Sequence, residues 1–491
     1  MGNASPGEIF AAVVFLQGSV VMRKQLGSHS AEPARPPPLR SAAEPPCSLD
    51  IVVLLSIAVF LVLDPPNLQY LSYLHSAQNR LSGDVLGGAL TGLATLLLLA
   101  YFVVAMRGAV KWAAGIKLGI VLTLGVSVVV LPTVSDMLAR HDVGLQVNGR
   151  TVARAHDGGV LQTEAAVAFL LQGVSPYSAD YSETQMALGV DSRPQLWRSL
   201  GFEQNPALHF YPYPPFTILL SVPFCLGAHT ALGWFDQRMV YLVAWGGLAV
   251  LGYRLPLSPR WKLPLMTLLV FNPIAALFFV PGRNDILCQT FLVATVLLLM
   301  RKHYRWASLL LGLSCGLKQF AWLLVPFYLA YASRGPTLRP HESPFKRLAD
   351  RCWPLFASTG AILVPFAIWD PGGLVHGLIV AQGSVYPFRS SSLGFSNFLI
   401  LFGAIDSFRA WFPLWVFAVL IVLPVFVCGV RRVLKVPRVS VMLTWYAVAL
   451  SLLLFFGRHF AHNYLAVVFA VMALACVAAH DEARSTTEPR P

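Results

Sequence analysis

The residues best suited to chemistry crowd one stretch of this 491-residue chain, RAHDGGVLQTEAAVAFLLQGVSPYSADY at 154–181. His156 and Asp157 stand just before a run from Leu161 to Leu171. Its pattern places Leu161, Ala165, Ala168 and Phe169 on a broad apolar stripe, which predicts a short helix lying along a membrane surface. A carboxylate held in water at such a surface can take a proton from a hydroxyl. Asp157 equally suits a plain helix N-cap, which binds backbone N–H groups and does no chemistry. Residue type and spacing do not choose between the two. Lys318 sits mid-run in LLLGLSCGLKQFAWLLVPFYL (309–329), and an ionisable residue inside an apolar span is a functional candidate by default. Arg283, Arg389, Arg458, His459 and His462 fall near the outer face or within spans. Arginine offers a two-pronged donor to phosphate, but Arg389 also suits an anchor at lipid headgroups. Tyr211 and Tyr213 alternate with prolines in HFYPYPPFTILL (209–220), where interfacial tyrosines also serve structure alone. Tyr177, Tyr181 and Trp197 can stack on a ligand or simply sit at the interface.

The element that positions all of these is a set of membrane helices. The chain is 56% hydrophobic and only 12% charged, against about 25% charged in an ordinary globular domain. A soluble protein with so few charges cannot cover its surface. Apolar runs bounded by charges or prolines fall at 51–64, 86–106, 116–134, 214–234, 238–254, 263–281, 285–300, 306–332, 353–369, 411–430, 439–456 and 460–479. These predict an all-α polytopic membrane protein of about twelve transmembrane helices. The formal charge of +13 gathers in short loops between runs, such as Arg107, Lys111 and Lys117, or Arg431, Arg432, Lys435 and Arg438. A third cluster holds Arg334, Arg339, Lys346, Arg347 and Arg351. Short basic loops face the cytosol, so the basicity points to topology and to no nucleic-acid partner. Seven cysteines stand singly with no CxxC pair, indicating neither a metal knuckle nor a disulfide framework.

With the basic loops inside, 135–213 becomes one long outer loop and 370–410 a second. Strict alternation would then put GRND (282–285) inside and RKHYR (301–305) outside, against the charge rule. Two breaks repair this. One is a turn-back at Asn272-Pro273, where proline removes a helix hydrogen bond. The other splits 306–332 into two half-length helices around Lys318, as is tolerated where broken helices line a cavity. GRND is then outside. Residues 391–405 predict a second surface-lying helix.

Several motifs in fixed order carry a family likeness: Asp157-x-x-Val160 with Glu164 and Ala165-Ala166 following, then GVSPY (173–177), then YPYPP (211–215). Further on come FNPIAALFFVPGRNDIL (271–287) and the glycine-rich, lysine-centred run around Lys318. Together they resemble GT-C glycosyltransferases, which take sugars from polyprenyl-phosphate carriers. The closest look is to the polyprenol-phosphate-mannose-dependent mannosyltransferases of bacteria and the catalytic subunit of GPI mannosyltransferase I. The likeness covers 116–332 well and 353–479 loosely, and leaves the first 110 residues outside. It implies a GT-C-like fold with a long first outer loop carrying surface-lying helices. Asp157 falls on the family's catalytic base, and Glu164 on its later acidic position, one residue further along than usual. Ala155 stands where some relatives carry the first acid of Asp-x-Asp, so a metal bridged by two aspartates is not implied.

On this reading 1–46 is a disordered Pro-rich tail and 47–115 an N-terminal helical hairpin. Residues 116–369 form the catalytic module, 370–480 the C-terminal helices with the second outer loop, and 481–491 a cytosolic tail. The expected enzyme moves a sugar, mannose by preference, from a polyprenyl-phosphate donor to a lipid or glycan acceptor outside the cytosol, inverting the anomeric centre. Asp157 acts as base. His156, Glu164, Tyr177, Tyr211, Tyr213, Arg283, Asn284, Asp285, Lys318, Arg389, Arg458 and His459 bind substrate, with no metal or cofactor required. The segments 157–172 and 391–405 border a groove for the prenyl chain. The bacterial inner membrane is the preferred location, the endoplasmic reticulum membrane the alternative. The rival readings are a polytopic transporter or flippase and a noncatalytic relative that binds lipid-linked sugar. Ionisable residues concentrated at one face, with no obvious internal repeat, weigh against transport.

Overall fold

A computed structural model describes residues 92–104, 113–142, 145–147, 150–152, 158–188, 192–256, 259–270, 279–334, 343–388 and 392–487. The expectations for 1–46, for the run 51–64, and for His156, Asp157 and Arg389 lie outside these residues. The described chain is helical apart from one small antiparallel hairpin, Leu145–Val147 against Arg150–Val152, with Leu145 opposite Val152.

Helix α1 is Gly92–Val104. Helix α2 runs from Ala113 to Asp142 through a π-turn at Val126–Val130. Helix α3 is Gly158–Leu171, α4 Phe216–Leu232, α5 Arg238–Arg254 and α6 Pro259–Val270. Then follow α7 Asp285–Met300, α8 Tyr304–Cys315, α9 Phe320–Arg334 and α10 Pro344–Trp369. The last three are α11 Leu414–Lys435, α12 Val439–Phe455 and α13 His462–Thr487. Among the described residues, four segments are long and apolar enough to cross a membrane on length and composition: Ala113–Leu138, Pro344–Trp369, Leu414–Lys435 and Asn463–Ala483. Helices α5 and α7, with 17 and 16 residues, reach about 25 Å at 1.5 Å per residue, most of a hydrocarbon core of about 30 Å.

Local chemistry sets the ends. Ser343 caps α10 by accepting from the Lys346 N–H at 3.2 Å, with Pro344 in the first turn. Glu482 of α13 accepts from Val439 N at 2.7 Å and closes the start of α12. Helix α8 meets α10 through Gly312 and Gly316, a small-xxx-small pair. A Cβ on Gly312 would stand 2.0 Å from Ser358 Oγ, and one on Gly316 2.8 Å from Ile362 Cδ1. Close backbone approach of this kind is what packs helices where lipid is as apolar as the side chains.

Two apolar runs do not pass from one end of the bundle to the other. The run 306–332 splits as expected: α8 rises, the chain turns at Gly316–Gln319, and α9 returns. The Tyr304 and Tyr331 rings lie 6.5 Å apart, and Tyr328 donates to Tyr304 O at 3.1 Å, so both outer ends of this hairpin meet. The second is 214–234, expected as a span. Phe216 N donates to Gly316 O at 2.9 Å, while just beyond α4 Trp234 stacks on His141 at 4.1 Å and Arg238 donates to Val280 O at 3.1 Å. Both ends of α4 therefore sit at the same end of the bundle, and α4 packs on α3. It buries only Thr217, Ile218, Ser221 and Cys225, and Leu219, Leu226 and Leu232 face outward.

That course of α4 resolves the alternation that the turn-back at Asn272-Pro273 was meant to repair. Helix α6 starts beside the Arg254 end of α5, where Lys262 lies over the Tyr253 ring, and Phe279 to Gly282 lie at the opposite end. The turn expected at Asn272-Pro273 falls in 271–278, outside the described residues. GRND thus shares its end with the 135–213 loop. The other end carries Arg301, which donates to Arg254 O at 2.9 Å, and the Arg305–Asp350 pair.

Candidate active site

The end of the bundle that holds GRND encloses a cavity of about 820 Å³. Its wall takes Gly158, Gly159 and Gln162 from α3, Tyr213 and Trp197 from the long loop, and Arg283, Lys318 and Gln319 from the two turns. Gln382 and Tyr386 close one side, and Trp411, Trp415, Arg458, His459 and Tyr464 the other. Trp411 and Trp415 line it while being 74% and 63% exposed, so the wall opens there to the outside of the bundle.

Lys318 stands at the tip of the α8–α9 hairpin. Its ammonium pairs with Asp285 and donates to Asn284 Oδ1 at 2.9 Å, and Asn463 donates to the second oxygen of Asp285. Rings of Phe320, Tyr464 and Tyr213 surround it at 5.3, 5.4 and 5.9 Å. The lysine is compensated as a cation, and the pair ties the hairpin tip to the GRND turn. Arg283, two residues before Asp285, faces the cavity.

Arg458 is different. It is buried to 8% exposure in the connection between α12 and α13, with its guanidinium 4.2 Å from the Phe388 ring centre and one N–H donated to Ala410 O at 3.1 Å. Its Nε has no hydrogen-bond partner and no carboxylate faces it among the described residues. Burial alone pushes its pKa below the ordinary guanidinium range. A buried cation without a counter-charge, in the wall of a cavity, is a site for an anion.

Behind α3 lies a second charged cluster, which no single motif in the sequence signals. Arg140 donates to Glu164 Oε1 at 2.8 Å, grips Glu164 Oε2, and reaches Asp236 at 3.1 Å. Arg238, wholly buried, pairs with Asp236 and Asp136. Glu164 also accepts from Gln237 N at 2.8 Å. Both Glu164 oxygens are therefore engaged, and the residue lies outside the cavity lining. This network joins the end of α2, helix α3, the start of α5 and, through Val280 O, the GRND turn. Gly282 makes the junction close. Its φ is +100°, and a Cβ would stand 2.1 Å from Val160 Cγ2 of α3.

The remaining expected site residues divide. Tyr213, Arg283, Lys318, Arg458 and His459 meet at the cavity. Asn284 and Asp285 stand behind it, holding Lys318. Tyr177 and Tyr211 are buried: Tyr177 donates to Tyr213 O at 2.8 Å, and Tyr211 shares a 3.1 Å hydrogen bond with Thr163. They shape the loop rather than offering open ring faces, and so does Tyr181, 0% exposed, while Trp197, 2% exposed, reaches the cavity wall. The expected stripe on α3 is also rotated. Val160, Leu161, Gln162, Thr163, Ala166 and Val167 are buried while Ala168 is exposed. The polar pair goes inward because its hydrogen bonds are met, Gln162 by the carbonyls of Ala207 and Phe210 at 2.8 and 2.6 Å. Asp157 lies outside the described residues; Gly158 and Gly159, which follow it directly in the chain, line the cavity.

Fold and cavity define a predominantly helical membrane protein in which a wide cavity brings basic and aromatic side chains together beside a long loop. Residues 165–334 match the model of the alpha-(1->6)-mannopyranosyltransferase family, N-terminal domain. On that match the chain is an enzyme, a glycosyltransferase, with mannosyl transfer the activity of the family it resembles. No curated protein matches it.

Proposed function

We propose that the protein moves a mannosyl group from a polyprenyl-phosphate donor to a lipid or glycan acceptor, as a GT-C-type enzyme whose catalytic module is 116–369. The observation that carries this reading is Arg458. The donor phosphate supplies the counter-charge that this buried guanidinium lacks, and Arg283 on the facing turn supplies a second donor. Trp411 and Trp415 mark the opening through which the prenyl chain lies against the membrane. Asp157 is the base: it removes the acceptor hydroxyl proton as that oxygen attacks C1 opposite the leaving phosphate. One such displacement inverts the centre, so an alpha product requires a beta-linked donor. Glu164 is reassigned from substrate binding to holding α3 in place. The cavity end of the bundle is the non-cytosolic one, because Arg254, Arg301, Arg305, Arg347 and Arg351 gather at the other. The bacterial inner membrane is the proposed location.

The test is direct. Purified protein is mixed with polyprenyl-phosphate mannose and a mannoside acceptor, and free polyprenyl phosphate and an alpha-linked product are measured. Hydrolysis-free donor that stays intact across acceptors, with the lipid instead moved between leaflets of a vesicle, would establish the flippase reading in its place.

A further inference from the structure

Three glutamines in the cavity wall share one arrangement. Gln162 donates its amide N–H groups to Ala207 O at 2.8 Å and Phe210 O at 2.6 Å. Gln319 donates to Pro212 O at 3.0 Å and Leu378 O at 3.2 Å, and Gln382 to the same Pro212 O at 3.5 Å. A nitrogen facing two carbonyl oxygens must be the NH2 end, so the orientation of Gln162 and Gln319 is set by chemistry. The reason lies in HFYPYPP. Phe210 is extended, at φ −161° and ψ 155°, so its carbonyl has no helical partner; Pro212, Pro214 and Pro215 have no N–H, and that of Phe216 is taken by Gly316 O. The carbonyls of this segment are left wanting donors, and the glutamines supply them.

The consequence is at the other end of each amide. Among the described residues, no side-chain or backbone group donates to Oε1 of Gln162, Gln319 or Gln382, and none of these oxygens is among the sealed, unpartnered atoms of the interior. All three residues line the cavity, and Gln162 is only 2% exposed. The cavity thus presents two fixed carbonyl acceptors, with Gln382 beside Gln319 on the same Pro212 carbonyl, and Arg283 and Arg458 also in its wall. Phosphate, an acceptor only, is repelled by the first set and drawn to the second; sugar hydroxyls, which donate, fit the first.

Resting on the function proposed above, we propose that Gln162, Gln319 and Gln382 form the hydroxyl-recognition subsite for the donor's sugar ring, and that the 207–212 carbonyls position them. The full chain in nanodiscs is titrated with polyprenyl-phosphate mannose and with bare polyprenyl phosphate. The wild type binds the mannosylated lipid more tightly than the bare one. Gln319→Leu and Gln382→Leu each weaken the mannosylated lipid about fivefold to tenfold, the worth of one hydrogen bond, and leave the bare lipid within about twofold. A wild type that binds both lipids alike, or variants that lose both alike, overturns the subsite and leaves the donor reading standing. Unchanged donor affinity with a raised KM for a mannoside acceptor also overturns it, assigning the glutamines to the acceptor's sugar. A wild type that binds neither lipid overturns both readings.

Discussion

Replacing Arg458 by glutamine separates an anion site from a structural cation, because the two predict opposite balances of affinity and stability. In the folded protein the guanidinium is 8% exposed, stacked 4.2 Å from the Phe388 ring centre, and hydrogen-bonded once, to Ala410 O. Glutamine forfeits the stack, worth about 1 kcal/mol, but removes a buried charge with no carboxylate partner among the described residues, which is itself destabilising. These oppose each other, so the midpoint of thermal unfolding without lipid is expected to shift little. Binding of the donor phosphate loses a charge-assisted contact worth about 1.5–3 kcal/mol, roughly a 10- to 150-fold rise in Kd at 1.4 kcal/mol per decade. Arg458→Lys keeps the charge without the fork and falls between. The assay is thermal unfolding in nanodiscs across a donor titration, which reports stability at zero donor and affinity from the concentration dependence. If Arg458→Gln binds donor within twofold of the wild type, or loses folded protein in step with activity, the anion-site argument is wrong.

Asp157→Asn is expected to leave insertion and donor binding intact while slowing transfer by at least about a hundredfold, measured as polyprenyl phosphate released per enzyme; near-normal turnover would leave it a cap. Glu164→Gln, by contrast, strips the charge from the partner of Arg140 and is expected to cost about 3–5 kcal/mol of stability, seen as lost folded yield before any change in KM. Gly282→Ala meets both a positive φ and Val160 Cγ2, together about 2–5 kcal/mol; Val160→Ala in the same chain restores the steric part alone, which a double-mutant cycle in unfolding midpoint resolves. Glu203→Cys is expected to react with an impermeant thiol reagent on intact cells and Lys302→Cys only after the membrane is opened, both positions being exposed; the reverse pattern would put the cavity in the cytosol.

Much of the helical plan was legible because the bilayer imposes it. The runs 238–254 and 285–300 coincide with α5 and α7, since a segment that must hide its own backbone has few ways to begin and end. The split at Lys318 was legible for a related reason: a lysine in mid-run needs partners, and broken helices occur where a cavity supplies them. The likeness to mannosyltransferases read from GVSPY, YPYPP and the lysine-centred run agrees with the family match over 165–334, which does not reach the finer likeness to GT-C enzymes. What composition cannot express is direction. An apolar run reads the same whether it crosses or lies against its neighbours, so 214–234 reads as a span, and its lateral course follows only from the contacts of Phe216 and Trp234.

Pairing is the other thing that tertiary structure decided. Arg140 meets residues 24 and 96 positions away, and Arg238 meets Asp136 across 102. At the border of a run each of these reads as an interfacial charge, and only their convergence shows both Glu164 oxygens engaged by Arg140 and Gln237 N, the basis for proposing it as a support. The same holds for Lys318 and Arg458. Both are basic residues near the same end of the bundle, alike in sequence, but among the described residues one has an aspartate within reach and the other has none. The difference between a neutralised cation and one that needs a ligand is a matter of distance, which the order of residues along the chain does not contain.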